Sequence, residues 1–156
     1  SASPAELAKV AIEQGSIERG KELFNRSAAV CFACHNPPSG AIRLGPDLTK
    51  VKSAMEIEDL VDSVLRPSKL IDKAYAQVNV LTLDGKQYTG IRISENDNEI
   101  VLRNLAQPEP ITIEMKDVDE VFDSRTSLMP ANLTRQLKNR GEFNDLMKYI
   151  FEIRKR

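Results

Sequence analysis

The chain has no tryptophan, one histidine and two cysteines among its 156 residues, and aromatic residues make up only 5% of it. Hydrophobic residues make up 41%. The chain can therefore bury a core, and a bulky group from outside the chain is one way to fill a core that is poor in rings. The length fits one domain, or one domain that carries an insertion.

Neither sign of charge dominates, since 22 Lys and Arg residues are balanced by 23 Asp and Glu residues. A chain this close to neutrality has no strong field toward nucleic acid or anionic lipid, so we expect neither as a partner. No apolar run approaches the roughly eighteen residues that a membrane-spanning helix needs, so we also expect no membrane span. The oligomeric state stays open.

The first residues, SASPAELAKV, lack the basic and then apolar segments of an intact signal peptide. A cytoplasmic protein, a mature protein whose leader was removed and a piece of a longer chain all fit this start. Ser3, Pro4 and Gly15 are placed to begin and end a short helix. A solvated extension is nevertheless the preferred interpretation of this segment.

Both cysteines and the only histidine lie in the stretch VCFACHNPP, residues 30–38. A structural zinc site needs four ligands, and Cys31, Cys34 and His35 supply three at most. An iron–sulfur cluster usually needs four cysteines. A thioredoxin-like dithiol belongs at a strand-to-helix turn, whereas the upstream residues SIERGKELFNRSAAV have the pattern of a helix.

The spacing C-x-x-C-H is the pattern of covalent haem attachment. Two thiols three residues apart reach the two vinyl groups on one edge of a porphyrin, and the next residue then directs its imidazole at the iron. We therefore predict one covalent haem c, with Cys31 and Cys34 as thioether anchors and His35 as the proximal ligand. Two buried cysteines beside a surface histidine are the structural alternative. Because bacteria attach haem c outside the cytoplasm, haem attachment predicts a periplasmic protein whose leader was removed, or an extracytoplasmic domain of a larger protein.

The sixth position of the iron falls to a methionine, to a weaker ligand such as lysine or water, or to nothing, because the chain has no second histidine. Three of the four methionines belong to predicted helices or strands. Met147 lies on an amphipathic helix, Met55 in the first turn of a helix with the capping box SAME (53–56), and Met115 at the end of a strand pattern. We predict Met129 as the sixth ligand, because it lies in a loop that the following proline keeps from becoming helical.

Several motifs in chain order resemble those of the class I cytochromes c: SIERGKELF (16–24), CFACH, GPDL (45–48), LMP (128–130) and EFNDLMKYI (142–150). The resemblance implies a mainly α fold in which an N-terminal and a C-terminal helix pack closely at Gly20. It also implies that the Pro46 carbonyl accepts a hydrogen bond from the His35 imidazole. Arg43, shortly after the attachment motif, is a candidate to pair with a haem propionate, although a loop cation is usually just solvated.

The stretch DLVDSVLRPSKLIDKAYAQVNVLTLDGKQYTGIRI is similar to the haem-binding domain described from the Planctomycetes–Verrucomicrobia group, in which a β-rich insertion separates the third helix from the methionine loop. The alternating pattern of residues 75–122, with a hairpin turn at Asp84-Gly85, predicts four or five antiparallel strands in a curled sheet or small barrel. We expect one cytochrome c domain over 1–156. It consists of a haem-attachment half (1–74), the insertion (75–122) and a methionine loop with a C-terminal helix (123–156).

These features predict a periplasmic monohaem cytochrome domain that transfers single electrons and is not itself an enzyme. Its partners would be redox proteins, with a dehydrogenase as donor and a cytochrome or oxidase as acceptor. A haem enzyme or gas sensor with a displaceable sixth ligand is the alternative, and a haem-stabilised interaction module is a third. The insertion shields a haem edge, docks a redox partner or is structural elaboration only.

Overall fold

A computed structural model describes residues 1–26, 31–36, 39–51 and 55–154 of the chain. The chain divides into two compact units, one formed by Ser1–Lys69 with Pro130–Arg156 and the other by Leu70–Met129. We call the first the helical unit and the second the sheet unit. The insertion that the sequence places at 75–122 lies within the sheet unit.

The described part of the helical unit contains α-helices and two short 3-10 turns. Their bounds are α1 (Pro4–Gln14), α2 (Ile17–Asn25), α3 (Cys31–His35), α4 (Ile57–Leu65) and α5 (Arg140–Ile153), with the turns at Leu48–Lys50 and Leu133–Gln136. Apolar residues of α1, α2, α4 and α5 form one buried cluster, with Val61 and Met147 fully enclosed. Burial of this apolar surface is the main favourable contribution to folding of the unit.

Helix α1 begins with a capping box. The Ser3 hydroxyl accepts the Glu6 N–H at 3.2 Å, and the Glu6 carboxylate accepts the Ser3 N–H at 2.6 Å. Leu7, Ala8 and Ala11 are buried, and α1 contacts α4 and α5. The preference for a solvated extension is therefore wrong, because the small alanines one turn apart let this short helix lie directly on its neighbours.

Helices α2 and α5 pack closely at Gly20. A Cβ at Gly20 would lie 2.6 Å from Tyr149 Cβ and closer still to the Asp145 carbonyl oxygen, so the expected close approach is confirmed. The Asp145 carboxylate accepts the Ser16 N–H at 2.7 Å and Arg19 Nε at 2.8 Å. Burial alone would raise the pKa of Asp145, but these donors and the Arg19 charge outweigh burial and hold that pKa below its usual range.

Helix α4 begins later than the capping-box pattern predicts. Its N-cap is Glu56 and its first residue is Ile57, so Met55 precedes the helix rather than lying in its first turn. Ser53, the predicted cap, lies outside the described residues. Glu56 makes no capping hydrogen bond through its side chain, and burial of Leu60 and Val61 holds the helix on the core.

The sheet unit contains five antiparallel strands in its described residues. They are β1 (Gln77–Thr82), β2 (Gln87–Glu95), β3 (Glu99–Arg103), β4 (Ile111–Glu114) and β5 (Val118–Asp123), with 3-10 turns at Lys73–Tyr75 and Met115–Asp117. The order is β4-β3-β2-β1-β5, an open sheet with two edges rather than a closed barrel. Gly85 has φ of 85° in the β1–β2 hairpin, as the Asp-Gly turn requires.

One face of the sheet carries its own hydrophobic core. Val78, Val80, Ile100, Leu102 and Ile113 are buried together. They occupy alternate positions along β1, β3 and β4, which places them on one face because side chains alternate along a strand.

The two ends of the strand segment lie side by side. Val78 of β1 is the register partner of Asp123 of β5, and the Ser124 N–H donates to the Gln77 carbonyl at 3.0 Å. The chain therefore enters and leaves the sheet on adjacent strands.

The prediction of a mainly α cytochrome c fold is wrong. The structure has 42% helix and 21% strand and contains a five-stranded antiparallel sheet, which makes it an α+β fold. The physical reason is that the strands form a compact unit with a core of their own.

Candidate functional site

The two cysteines and the histidine lie on one short helix, α3 (Cys31–His35). Cys31 and Cys34 share one side of this turn, because residues three apart are neighbours on a helix surface. Both side chains are partly buried, and Cys31 packs against the core of the helical unit. Phe32 and Ala33 between them are exposed. The turn thus presents two sulfurs together and is anchored at its first residue.

The His35 imidazole is held at one of its two ring nitrogens. Nδ1 lies 2.8 Å from the carbonyl oxygen of Pro46. Since a carbonyl only accepts, Nδ1 carries the hydrogen and Nε2 keeps the lone pair. The contact implied by the resemblance is therefore present, and it prepares Nε2 as a ligand atom.

A returning loop, residues 43–46, closes over α3. The Gly45 N–H donates to the Cys34 carbonyl at 3.1 Å, and the Arg43 guanidinium donates to the His35 carbonyl. These donors satisfy two carbonyls that the end of a short helix leaves without intrahelical partners. Arg43 thus has a structural role in holding α3, and its predicted role at a haem propionate stays a prediction.

Gly45 lies against the His35 ring and is not among the site residues that the sequence predicts. A Cβ at this position would lie 2.8 Å from Cε1, 2.9 Å from Nδ1 and 3.2 Å from Nε2 of His35. The available signal is the glycine that directly precedes Pro46 in the motif GPDL. The absent side chain lets the ring lie flat against the backbone, so Gly45 and Pro46 together fix the ring.

Burial sets the protonation of the site. Burial lowers the pKa of His35, and the Arg43 charge adds to this effect, although the hydrogen bond to Pro46 opposes it. The neutral imidazole, which is the metal-binding form, is therefore favoured. Burial also raises the pKa of the Cys31 thiol to about 11. Redox-active dithiols need a lowered thiol pKa, so this environment argues against thioredoxin-like chemistry.

The methionines lie in different surroundings. Met147 is fully buried in α5, which confirms its prediction as core. Met115 packs on the sheet core and Met55 on the helical core, both partly buried. Met129 lies outside helices and strands, as predicted, and its N–H donates to the Ser127 hydroxyl at 3.1 Å.

His35 belongs to the helical unit, whereas Met129 is the last residue of the sheet unit. Their joint ligation of one iron stays a prediction.

Among the described residues, no group of three or more His, Cys, Asp or Glu side chains is placed to hold a metal ion. A haem would not need such a group, because its porphyrin would already hold the iron. Within the same residues, no helix combines the length and apolar character needed to cross a bilayer.

No protein-family model and no curated protein matches the chain.

Proposed function

We propose that this chain is a c-type cytochrome module that carries one covalent haem c and transfers single electrons. Cys31 and Cys34 would hold the haem through thioether bonds, and His35 and Met129 would bind its iron. The observation that carries the proposal is the 2.8 Å hydrogen bond between His35 Nδ1 and the Pro46 carbonyl, because it leaves Nε2 for iron.

The donor set of α3 fits haem c. Two thiols lie on one helical turn and the imidazole follows directly after the second thiol, in the order that covalent attachment requires. When bound, haem c supplies an iron that cycles between Fe(II) and Fe(III). The chain's contribution is orientation: Gly45 blocks one side of the imidazole and Pro46 holds Nδ1. Such contacts fix the ring and raise the basicity of the ligand nitrogen.

Redox proteins are the proposed partners, with a dehydrogenase as donor and a cytochrome or oxidase as acceptor. The proposed location is the periplasm, or an extracytoplasmic domain of a larger protein. The chain contains no second histidine to act as a distal acid–base group, which favours electron transfer over peroxide or oxygen chemistry.

Expression with a complete haem c maturation system tests the attachment. We expect a coloured protein whose pigment survives acid–acetone extraction and whose pyridine haemochrome spectrum is that of a haem with two thioether bonds. The double variant Cys31→Ser/Cys34→Ser should lose its pigment on extraction. Ala33→Ser, on the exposed side of the same turn, is the matched control and should retain the pigment. A colourless wild-type protein refutes the proposal.

Substitution of Met129 tests the sixth ligand separately. The Fe(III) wild type should show a methionine-to-iron charge-transfer band, because thioether sulfur is then bound to the iron. Met129→Leu should remove the band, and Met55→Leu, in which a partly buried methionine of the helical unit is changed, should keep it. Rapid carbon monoxide binding by the reduced wild type would contradict Met129 ligation and favour the gas-binding or enzymatic alternative.

A further inference from the structure

An exposed apolar surface lies on the sheet unit, beside strand β5. Phe122 is 41% exposed and Leu83, directly after β1, is 68% exposed. Register pairs Phe122 with Asn79 and Glu120 with Leu81. Asn79, Leu81, Glu120 and Phe122 therefore point to one face of the sheet, because they alternate with the core residues Val80 and Val121. Leu83 lies in the turn that follows β1. We call Leu81, Leu83, Glu120 and Phe122 the β5 face.

The β5 face ends at an open edge. Strand β5 is the last strand in the order of the described residues. The Ser124 N–H donates to the Gln77 carbonyl of β1. Backbone groups alternate in direction along an antiparallel strand. The backbone N–H and C=O groups of Val121 and Asp123 therefore face away from β1. A second protein can therefore approach the face and the edge together.

Strand β5 is acidic at its exposed positions. Asp119, Glu120 and Asp123 are exposed. The ion pairs formed by described residues in the sheet unit join Lys86 to Asp84, Arg92 to Glu95 and Lys116 to Glu114. None of these pairs includes a β5 carboxylate. Of these carboxylates, Glu120 lies on the β5 face with Phe122, and Asp123, the register partner of Val78, lies at the same edge on the opposite face.

The whole sheet unit shares this sign. Residues 70–129 hold six Lys or Arg against eleven Asp or Glu, and the rest of the chain holds 16 against 12. Formal charges of −5 and +4 therefore underlie the overall value of −1. The near-neutral composition conceals an acidic unit, and acidic groups at an edge strand disfavour pairing of two β5 edges because like charges would meet.

We propose that the β5 face is a docking site for a basic protein whose contact surface has an apolar centre surrounded by lysine or arginine. Apolar contact at Phe122 and Leu83 supplies affinity. The carboxylates favour a positively charged partner and increase its rate of association. This surface belongs entirely to the sheet unit, so the inference does not depend on haem attachment.

The test uses the full-length, isotope-labelled chain and a short synthetic peptide in which lysine alternates with valine. Amide resonances of β5 and of the β1–β2 hairpin should shift on titration, and the shifts should weaken as salt is raised. The double variant Glu120→Gln/Asp123→Asn should lower the affinity by roughly five- to tenfold, and Phe122→Ser by about tenfold. Amide resonances away from the substitutions should stay unchanged, which shows that each variant is folded.

The matched control is Asp97→Asn/Glu109→Gln, which removes the same charge from exposed positions away from β5. This variant should bind the peptide as the wild type does, and a peptide of alternating glutamate and valine should not bind. The proposal is overturned if the lysine peptide causes no shifts, or if both double variants lose affinity equally. It is also overturned if the same β5 shifts arise from protein concentration alone, because the occupant is then a second copy of the chain.

Discussion

Replacement of Gly20 by alanine tests the contact that holds α2 on α5. A Cβ at this position would lie 2.6 Å from Tyr149 Cβ and 2.7 Å from the Asp145 carbonyl carbon, whereas carbon atoms normally approach to about 3.5–4.0 Å. The obstruction includes backbone, which cannot rotate aside as a side chain does. The helices must therefore separate by about 1 Å, and they lose packing along their shared face.

The expected magnitude combines two opposing effects. Alanine favours a helix over glycine by about 1 kcal/mol. Overpacking costs about 1–3 kcal/mol, and the upper end applies here because the atoms met by the new Cβ include the backbone of α5. We expect a net loss of about 2 kcal/mol in the free energy of unfolding. For a chain of this size the corresponding fall in Tm is about 4–8 °C.

Urea denaturation followed by circular dichroism measures this loss, with calorimetry for Tm and with both proteins prepared identically. Gly141→Ala is the matched control, because Gly141 lies in the first turn of α5 and its Cβ would meet only the Asn139 side chain, at 3.1 Å. The control should equal the wild type within about 1 kcal/mol. If Gly20→Ala is as stable as the wild type, the close approach of α2 and α5 is refuted.

Three further changes have defined outcomes. Gly45→Ala places a Cβ 2.8 Å from His35 Cε1, so the ring must turn away from the Pro46 carbonyl. The nitrogen resonances of His35 should therefore shift, and unchanged resonances would contradict the packing of Gly45 on the ring. Asp145→Asn should cost about 1–2 kcal/mol at neutral pH through its weakened bond to Arg19. The pKa of Asp145 is lowered in the folded state, so its contribution is complete above the usual carboxyl pKa of about 3.9 and is lost as pH falls through the folded value. Acid titration should therefore narrow the stability gap between wild type and variant, and a widening gap would disprove this sign. Val80→Ala, at a fully buried position of the sheet core, should cost about 2–3 kcal/mol and lower the hydrogen-exchange protection of sheet amides; protection that stays at the wild-type level argues against that core.

Local patterns in the sequence predict the parts of the structure that depend on neighbouring residues. The alternation of apolar residues predicts the strands, and Asp84-Gly85 predicts the β1–β2 hairpin, because both signals act over a few residues. The capping box pattern at 53–56 predicts the wrong start for α4, because the position of this helix depends on residues far away in the sequence. Burial of Leu60 and Val61 against distant helices positions α4, and no local pattern encodes that packing.

The candidate site divides in the same way. Cys31, Cys34 and His35 can be predicted as a haem-attachment motif from the sequence alone, because that motif is defined by spacing within one turn. The roles of Arg43 and Gly45 depend on a loop that returns to the histidine, and such a return is a tertiary event. The predicted fold class is wrong because the motifs that indicate it lie in the helical unit, whereas the sheet unit has a core of its own.

The hydrogen bond between Ser124 and Gln77 brings the two ends of the strand segment together. The chain that flanks the strand segment therefore resumes close to where it left off, whatever the number of residues in between. Loop-closure entropy grows only as the logarithm of length, by about 0.6 kcal/mol for each doubling. Gain, exchange or loss of such a segment would therefore change the loop-closure free energy of the host polypeptide only slightly.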